Sequence, residues 1–336
     1  MSGLVLLLAL PALYWPQGVE SAPALRQAGI ERLCVPPESA EAWRQAGFTV
    51  TAVSPADLVA REKLSPPGIA GRADVASPTR SPWVFASGWR FLRNPAGKYL
   101  YDLPAGKAAL AAAEAFAYGA DAVLKIDPAD LESFGRMLAF LAQVPAADLP
   151  DISDLAVVDD GSPLVGEVMN LFVRRNLLFR AVIAPSPEFR VNVRIGAPEY
   201  PTKEAADPSA FALKIRRQLT DEQRGLRLYG SEVVIGRLTG EASRARLHLL
   251  NYGGRELDGL RVRVRGAWAE GEALVAERGR APLDDYAVSE GATEFSLSGV
   301  PTYAVIELRA PGEGRLQWRD FPQSSRRRRS RPQPAR

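Results

Sequence analysis

The sequence predicts an α/β fold: a (β/α)8-like barrel, complete or incomplete, followed by an antiparallel β-sandwich. Three observations carry this expectation. Apolar strand-like runs alternate with helical patterns from residue 13 to about residue 229, the rhythm of a parallel sheet with crossover helices. Three of the helical patterns stop on a glycine (Gly29, Gly47 and Gly119), where the chain needs a left-handed residue. From about residue 230 the helical spacing disappears and short alternating runs punctuated by glycine replace it, as in a sandwich.

At 336 residues the chain has room for two domains, or for one barrel with an appendage. Residues 1–12 read as a leader: the apolar run Leu4 to Leu10 resembles a signal-peptide h-region and is too short to span a bilayer. It predicts a secreted or periplasmic bacterial protein with no integral membrane span. No Lys or Arg precedes the run and no small-x-small cleavage pattern follows it, so a first buried strand is the alternative.

Eight candidate strands follow: "LYWP" (13–16), "ERLCVP" (31–36), "TVTAVS" (49–54), "WVFASG" (83–88), "AVLKID" (122–127), "LAVVDD" (155–160), "FRAVIA" (179–184) and "VNVRIG" (191–196). The first helical repeats are near copies, since "ALRQAGIERLCV" and "AWRQAGFTVTAV" each write a helix, a glycine stop and a strand. Later helices carry Leu131, Phe134, Leu138 and Leu141, and then Leu164, Val168, Leu171 and Phe172, apolar stripes that belong in a core. Only "PSPEFR" separates the last two candidate strands, too little for a crossover helix, so that pair is read as a hairpin or as a degenerate part of the barrel. Residues 61–82 form a long loop rich in Gly, Pro and Ser. In the sandwich, "LRVRVRG" points Leu260, Val262 and Val264 one way and Arg261, Arg263 and Arg265 the other, an arginine row expected on a solvated face. The division is therefore a leader at 1–12, the barrel-like domain at 13–229, the sandwich at 230–320 and a disordered basic tail at 321–336.

The formal charge of +3 rests on that tail, whose last fourteen residues hold six arginines; without them the charge is −3. A slightly acidic body argues against nucleic acid as a partner. The single cysteine, Cys34, excludes an intrachain disulfide and multi-cysteine metal sites, and the single histidine, His248, excludes paired-His zinc sites. Glycine-rich phosphate loops, dinucleotide fingerprints and EF-hand loops are absent, so neither a cofactor nor a metal is expected. If the chain is an enzyme, carboxylates do the chemistry.

In a βα barrel the working residues sit at the C-terminal ends of the strands. Asp127 closes one candidate strand, and Asp159 with Asp160 closes the next. Adjacent strands lie about 4.8 Å apart, near enough for two carboxyls to act together as acid and base. The competing reading makes the same aspartates turn and cap residues, with Ser162 as the cap of a helix that opens at Pro163. Aromatic residues gather in "SPWVFASGWRFLRNPAGKYLYDLPAG", where Trp83, Trp89 and Tyr101 could stack on sugar rings while Arg90 reaches their hydroxyls; a packed corner would use the same residues.

The stretch "SGWRFLRNPAGKYLYDLPAGKAALAAAEAFAYGADAVLKID", together with "RARLHLLNYGGRELDGLRVRVRG" and "TYAVIELRA", resembles the TIM-barrel glycoside hydrolases, and their non-catalytic relatives, that carry a C-terminal β-sandwich. The resemblance spans nearly the whole chain and implies a carbohydrate partner. For an enzyme it implies glycoside hydrolysis by paired carboxylates, one protonating the leaving oxygen and the other serving as base or nucleophile. Many retaining members place a Glu after Asn beyond the fourth strand, and no Asn-Glu pair occurs here. Glu199, in "IGAPEY", is the late acid that stands for the second carboxylate. The alternative is a non-catalytic glycan- or protein-binding module. A third reading, of residues 150–196 as a flavodoxin-like or amidotransferase-like half, lacks the cysteine nucleophile such chemistry needs.

Overall fold

The computed structural model describes residues 10–70 and 83–312. Nearly all of the leader, the second half of the 61–82 loop and the basic tail lie outside the described residues. The first part of the chain runs β1 (Ala12–Tyr14), α1 (Ala22–Gln27), β2 (Arg32–Val35), α2 (Ala40–Gln45), β3 (Thr49–Ala52), α3 (Pro55–Val59) and β4 (Glu62–Leu64). It continues with β5 (Gly68–Ala70), β6 (Trp83–Phe85), α4 (Gly88–Arg93), β7 (Lys98–Asp102), α5 (Ala108–Ala117), β8 (Asp121–Lys125) and α6 (Leu131–Leu141).

Six of these strands make a parallel sheet in the order β3-β2-β1-β8-β7-β4. The chain steps outward from β1 to β2 and β3, then fills the other side from its far edge inward. The order reverses between β1 and β8. The α/β class and the following antiparallel layers are as the sequence predicts, and the parallel part takes the incomplete form: no ladder among the described residues joins β3 to β4. Pro and the tight glycine stops shape the connections. Gly29 and Gly47, both at positive φ, end the two copied repeats, and their next residues bond back to Leu25 and Trp43 carbonyls. Gly135 lets α6 lie on α1, since a Cβ there would fall 1.9 Å from the Ala28 carbonyl oxygen.

A second parallel sheet follows, built from β9 (Leu155–Val158), β10 (Phe179–Val182) and β11 (Asn192–Val193), with α7 (Pro163–Arg174) between the first two. Its order is β10-β9-β11, so β10 and β11 flank β9 and do not pair with each other as a hairpin. The connection between them, residues 183–191, passes β9 and returns the chain to a strand parallel to β10 without a helix. Next come α8 (Thr202–Ala205) and α9 (Pro208–Gln223), the latter broken at Thr220, which takes φ 53°.

The sandwich contains β12 (Leu226–Tyr229), β13 (Val234–Gly240), β14 (Arg244–Asn251), β15 (Leu257–Arg265), β16 (Glu270–Val275), β17 (Gly279–Ala281), β18 (Asp284–Ser289), β19 (Ala292–Val300) and β20 (Tyr303–Arg309). These form an outer sheet β12-β15-β19-β18 and an inner sheet β13-β14-β20-β16-β17. Leu247, Leu249, Ala304 and Ile306 face the outer sheet's Leu260, Val262, Phe295 and Leu297 in one core. Their alternate neighbours, Leu250, Tyr252, Tyr303 and Val305, join the core of the parallel domain instead. The inner sheet is thus buried on both faces, and the two domains share it.

Three local differences from the sequence reading have physical causes. "WVFASG" does not enter the parallel sheet: β6 pairs antiparallel with β5, and the chain beyond it turns into α4. The parallel strands that sequence reading passed over are β4 and β7. In β7, "KYLYD", Tyr99 and Tyr101 are buried and the intervening residues are half-buried or exposed, an alternation whose polar members hid the strand. β12 pairs with β15, so the outer sheet takes up residues from Leu226 onward.

Candidate functional site

Asp127 follows β8 and Asp159 follows β9, but these strands belong to different sheets, whose neighbours are β1 and β7 for the first and β10 and β11 for the second. The two acids therefore do not stand on adjacent strands. Asp127 accepts from the Ala129 N–H at 2.9 Å and caps a short 3₁₀ turn at Pro128–Asp130. Asp160 is exposed and accepts from the Ser162 N–H at 2.8 Å, while Ser162 Oγ accepts from the Val165 N–H and caps α7. Asp159 accepts a two-pronged bond from Arg93, Nε at 2.8 Å and Nη2 at 2.6 Å, and a third from the Gly161 N–H at 3.0 Å. The hydrogen bonds from Arg93 hold its carboxyl below the usual carboxylate range, and those at Ser162 do the same for Asp160. Glu199 is exposed after β11, where its backbone carbonyl accepts from Lys214 at 2.7 Å. The four acids thus serve turns, a cap and an ion pair, or face solvent singly.

The aromatic residues do not assemble an open platform. Tyr101 is fully buried, and its hydroxyl donates to Glu114 at 2.6 Å. Trp83 and Trp89 are half-buried, and each carries a guanidinium over its ring: Arg174 at 3.8 Å from the Trp83 centroid and Arg90 at 4.3 Å from that of Trp89. Arg90 in turn pairs with Glu62. The far edge of Trp89 packs where Gly166 leaves room, a Cβ there meeting the indole at 3.0 Å. The packed-corner reading describes these residues.

Two features escaped sequence reasoning. Glu114 is completely buried inside α5 and accepts from the Tyr101 hydroxyl, the Tyr252 hydroxyl and the Ser87 N–H, each at 2.6 Å. Burial pushes its carboxyl above the ordinary value, and the three donors pull against that shift. Since Tyr252 follows β14, this carboxyl ties the parallel domain to the sandwich. A glutamate inside an alanine-rich helix, "ALAAAEAFA", gives no sign of such a partner because Tyr252 lies 138 residues further along the chain.

The second feature is an open cleft with a volume of about 230 Å³, lined by Ser153, Asp154, Glu188, Phe189, Arg190, Leu219, Gln223 and Arg265. It lies at the N-terminal ends of β9 and β11, against α9 and the end of β15, the rim opposite to the one the barrel rule points to. Both Asp154 oxygens accept from the Gly225 N–H at 2.9 Å, and burial lifts the carboxyl to about 6 against the pull of Arg265 and Arg224. Arg190 donates to the Gln218 carbonyl at 2.7 Å and Arg265 to the Gln223 carbonyl at 3.0 Å. Glu188 is engaged by Arg180 at 2.8 Å. Among the described residues, no three His, Cys, Asp or Glu side chains cluster to hold a metal ion, and no helix is long and apolar enough to cross a membrane.

No protein-family model matches the sequence, and no curated protein does. Among solved structures, α-L-fucosidase isoenzyme 2 from Paenibacillus thiaminolyticus is similar in fold, with a TM-score of 0.51 at 10% identity over 80% of this chain and 70% of that one. The β-galactosidase of Bacillus circulans sp. alkalophilus gives a TM-score of 0.39 at 9% identity over 85% of this chain and 61% of that chain. The GH42 β-galactosidase Gan42B from G. stearothermophilus, in its catalytic-mutant form, gives 0.36 at 8% identity over 74% and 53%. The chain spans little more than half the length of these β-galactosidases. The α/β part with its C-terminal antiparallel sheets is therefore an architecture that a glycoside hydrolase also carries.

Proposed function

We propose that the protein is an exported, non-catalytic carbohydrate-binding module with a glycoside-hydrolase-like fold. The observation that carries this reading is the fate of the predicted acids. Asp127 and Asp160 hold turns, Asp159 is locked to Arg93, and the strands bearing them are not neighbours. A glycosidase needs two carboxyls facing one bond across about 5 to 10 Å, with at least one free to exchange a proton. Carboxylates held below their ordinary range by fixed donors are poor proton donors at neutral pH. The carbohydrate half of the reading draws on the fold shared with a protein described as an α-L-fucosidase.

The test is a paired assay on the full chain. A panel of aryl glycosides, with Asp160→Asn as control, should show no turnover by either protein, while immobilised glycans should retain the wild type saturably. Turnover that the variant abolishes would overturn the non-catalytic reading; failure to bind any glycan would overturn the carbohydrate reading.

A further inference from the structure

We infer that the cleft around Asp154 is the glycan site of the module, and that it takes a short, uncharged saccharide. The inference rests on the carbohydrate reading above and gives it a place.

Asp154 has unused hydrogen-bonding capacity. A carboxylate offers about four acceptor directions, and among the described residues the one donor reaching Asp154 is the Gly225 N–H, shared by both oxygens. A half-buried carboxyl in that condition is stabilised by donors from a ligand, and vicinal sugar hydroxyls supply two at once. Arg190 and Arg265 each give one bond to a backbone carbonyl, and a guanidinium carries five donors, so both retain N–H groups for hydroxyl oxygens. Gln223 and Ser153 add neutral groups of both kinds.

The same residues decide the ligand's charge. An anion would meet Asp154 and Glu188, and a cation would meet Arg190 and Arg265. A neutral polyol both donates to the carboxylate and accepts from the guanidinium groups, with no ion buried unpaired. Phe189 and Leu219 supply apolar wall for the C–H face of a ring, and Arg180 lies over Phe189 at 5.1 Å from its centroid. At about 230 Å³ the cleft is smaller than the usual ligand pocket of about 300 to 1,000 Å³, which limits the ligand to about one sugar ring.

The backbone beside the cleft is also constrained. Thr220 holds φ 53° and ψ 161°, a conformation that a β-branched residue avoids, and it breaks α9 between the two cleft residues Leu219 and Gln223.

The experiment titrates the isotope-labelled full chain with methyl glycosides of galactose, glucose, mannose and fucose, following amide shifts. The expected result is saturable shifts at Gly225, Phe189 and Gln223. Arg190→Ala, an exposed position, and the shape-preserving Asp154→Asn should each weaken binding about tenfold, as the loss of a charge-assisted hydrogen bond does. Saturable shifts elsewhere, unchanged by both variants, would overturn the site while leaving the module reading intact. Absence of binding by these probes and by the immobilised glycans would overturn both.

Discussion

The two sheets of the sandwich use the same residue types to opposite ends. In the outer sheet, β15 alternates buried and accessible residues, and its arginines meet Glu294 across the ladder, Arg261 at 3.0 Å and Arg263 at 3.7 Å, where all three side chains remain partly accessible. In the inner sheet, Arg246 lies opposite Glu307 in the β14–β20 register and pairs with it almost completely buried. His248 and Tyr303 share this second face, joined through Nδ1 and the hydroxyl at 2.6 Å, and burial followed by the nearby Arg246 and Arg237 keeps the imidazole neutral, well below its ordinary pKa. One face of the inner sheet is therefore a polar seam within a closed interior, because the parallel domain covers it. The lesson is that alternation in sequence marks the side of a strand, while the neighbour across that side decides what a charge costs.

The seam's central acid offers the largest effect. Glu114→Ala would strand two tyrosine hydroxyls and the Ser87 N–H and leave a void between α5 and the sandwich. The expected loss is about 3 kcal/mol or more, read from the urea midpoint. A loss below about 1 kcal/mol would show that the domains do not depend on this contact. Arg246→Met alone should cost about 3 kcal/mol by leaving Glu307 buried and unpaired, whereas Arg246→Met with Glu307→Leu should return to within about 1 kcal/mol of wild type. If the double variant is no better than the single one, the pair stabilises the seam in its own right.

Legibility followed the same division. The glycine stops and apolar runs placed β1, β2, β3, β8, β9, β10 and β11 because each is a local signal of a strand between turns. Strand order is a long-range property, so the separation of β8 from β9 into two sheets was hidden, and the acid pair inferred from their adjacency went with it. Asp127 and Asp160 are legible as turn residues from Pro128 and "GSP" alone, and that reading describes their bonds. Tyr101 was visible as an aromatic residue but not as a donor to Glu114, whose other tyrosine partner, Tyr252, lies far along the chain. Asp154 sits just before β9, at the N-terminal end of a strand, where the barrel rule expects no working residue.

The junction cleft lies between those extremes of burial, and pH separates it from them. Asp154 has a folded pKa of about 6, above the unfolded value of about 3.9, so the folded chain binds more protons within that window. Its contribution to stability is full below about pH 4 and is lost as pH rises through about 6. Asp154→Asn should therefore remove part of the decline between those values while leaving the acid limb, where Asp159 and Asp160 protonate, in place. An unchanged wild-type-minus-variant difference across the window would show that Asp154 does not carry the shift. Smaller still, Arg93→Ala should cost about 1 kcal/mol, since its two-pronged bond to Asp159 is partly accessible to water.

The outer sheet supplies the smallest effect and the sharpest contrast. Glu294 stands directly opposite Arg263 in the β15–β19 register and also receives Arg261, so it balances two arginines on an accessible face. Water solvates the Arg261 guanidinium and the Glu294 side chain, each about a third exposed, and salt already screens much of the attraction. Glu294→Gln should accordingly change stability by about 0.5 kcal/mol or less, and the difference should shrink further when the urea titration is repeated in high salt. A loss approaching that of Arg246→Met would mean that the outer face is also covered, and the arginine row would then have to be read as a second seam and no longer as a solvated surface.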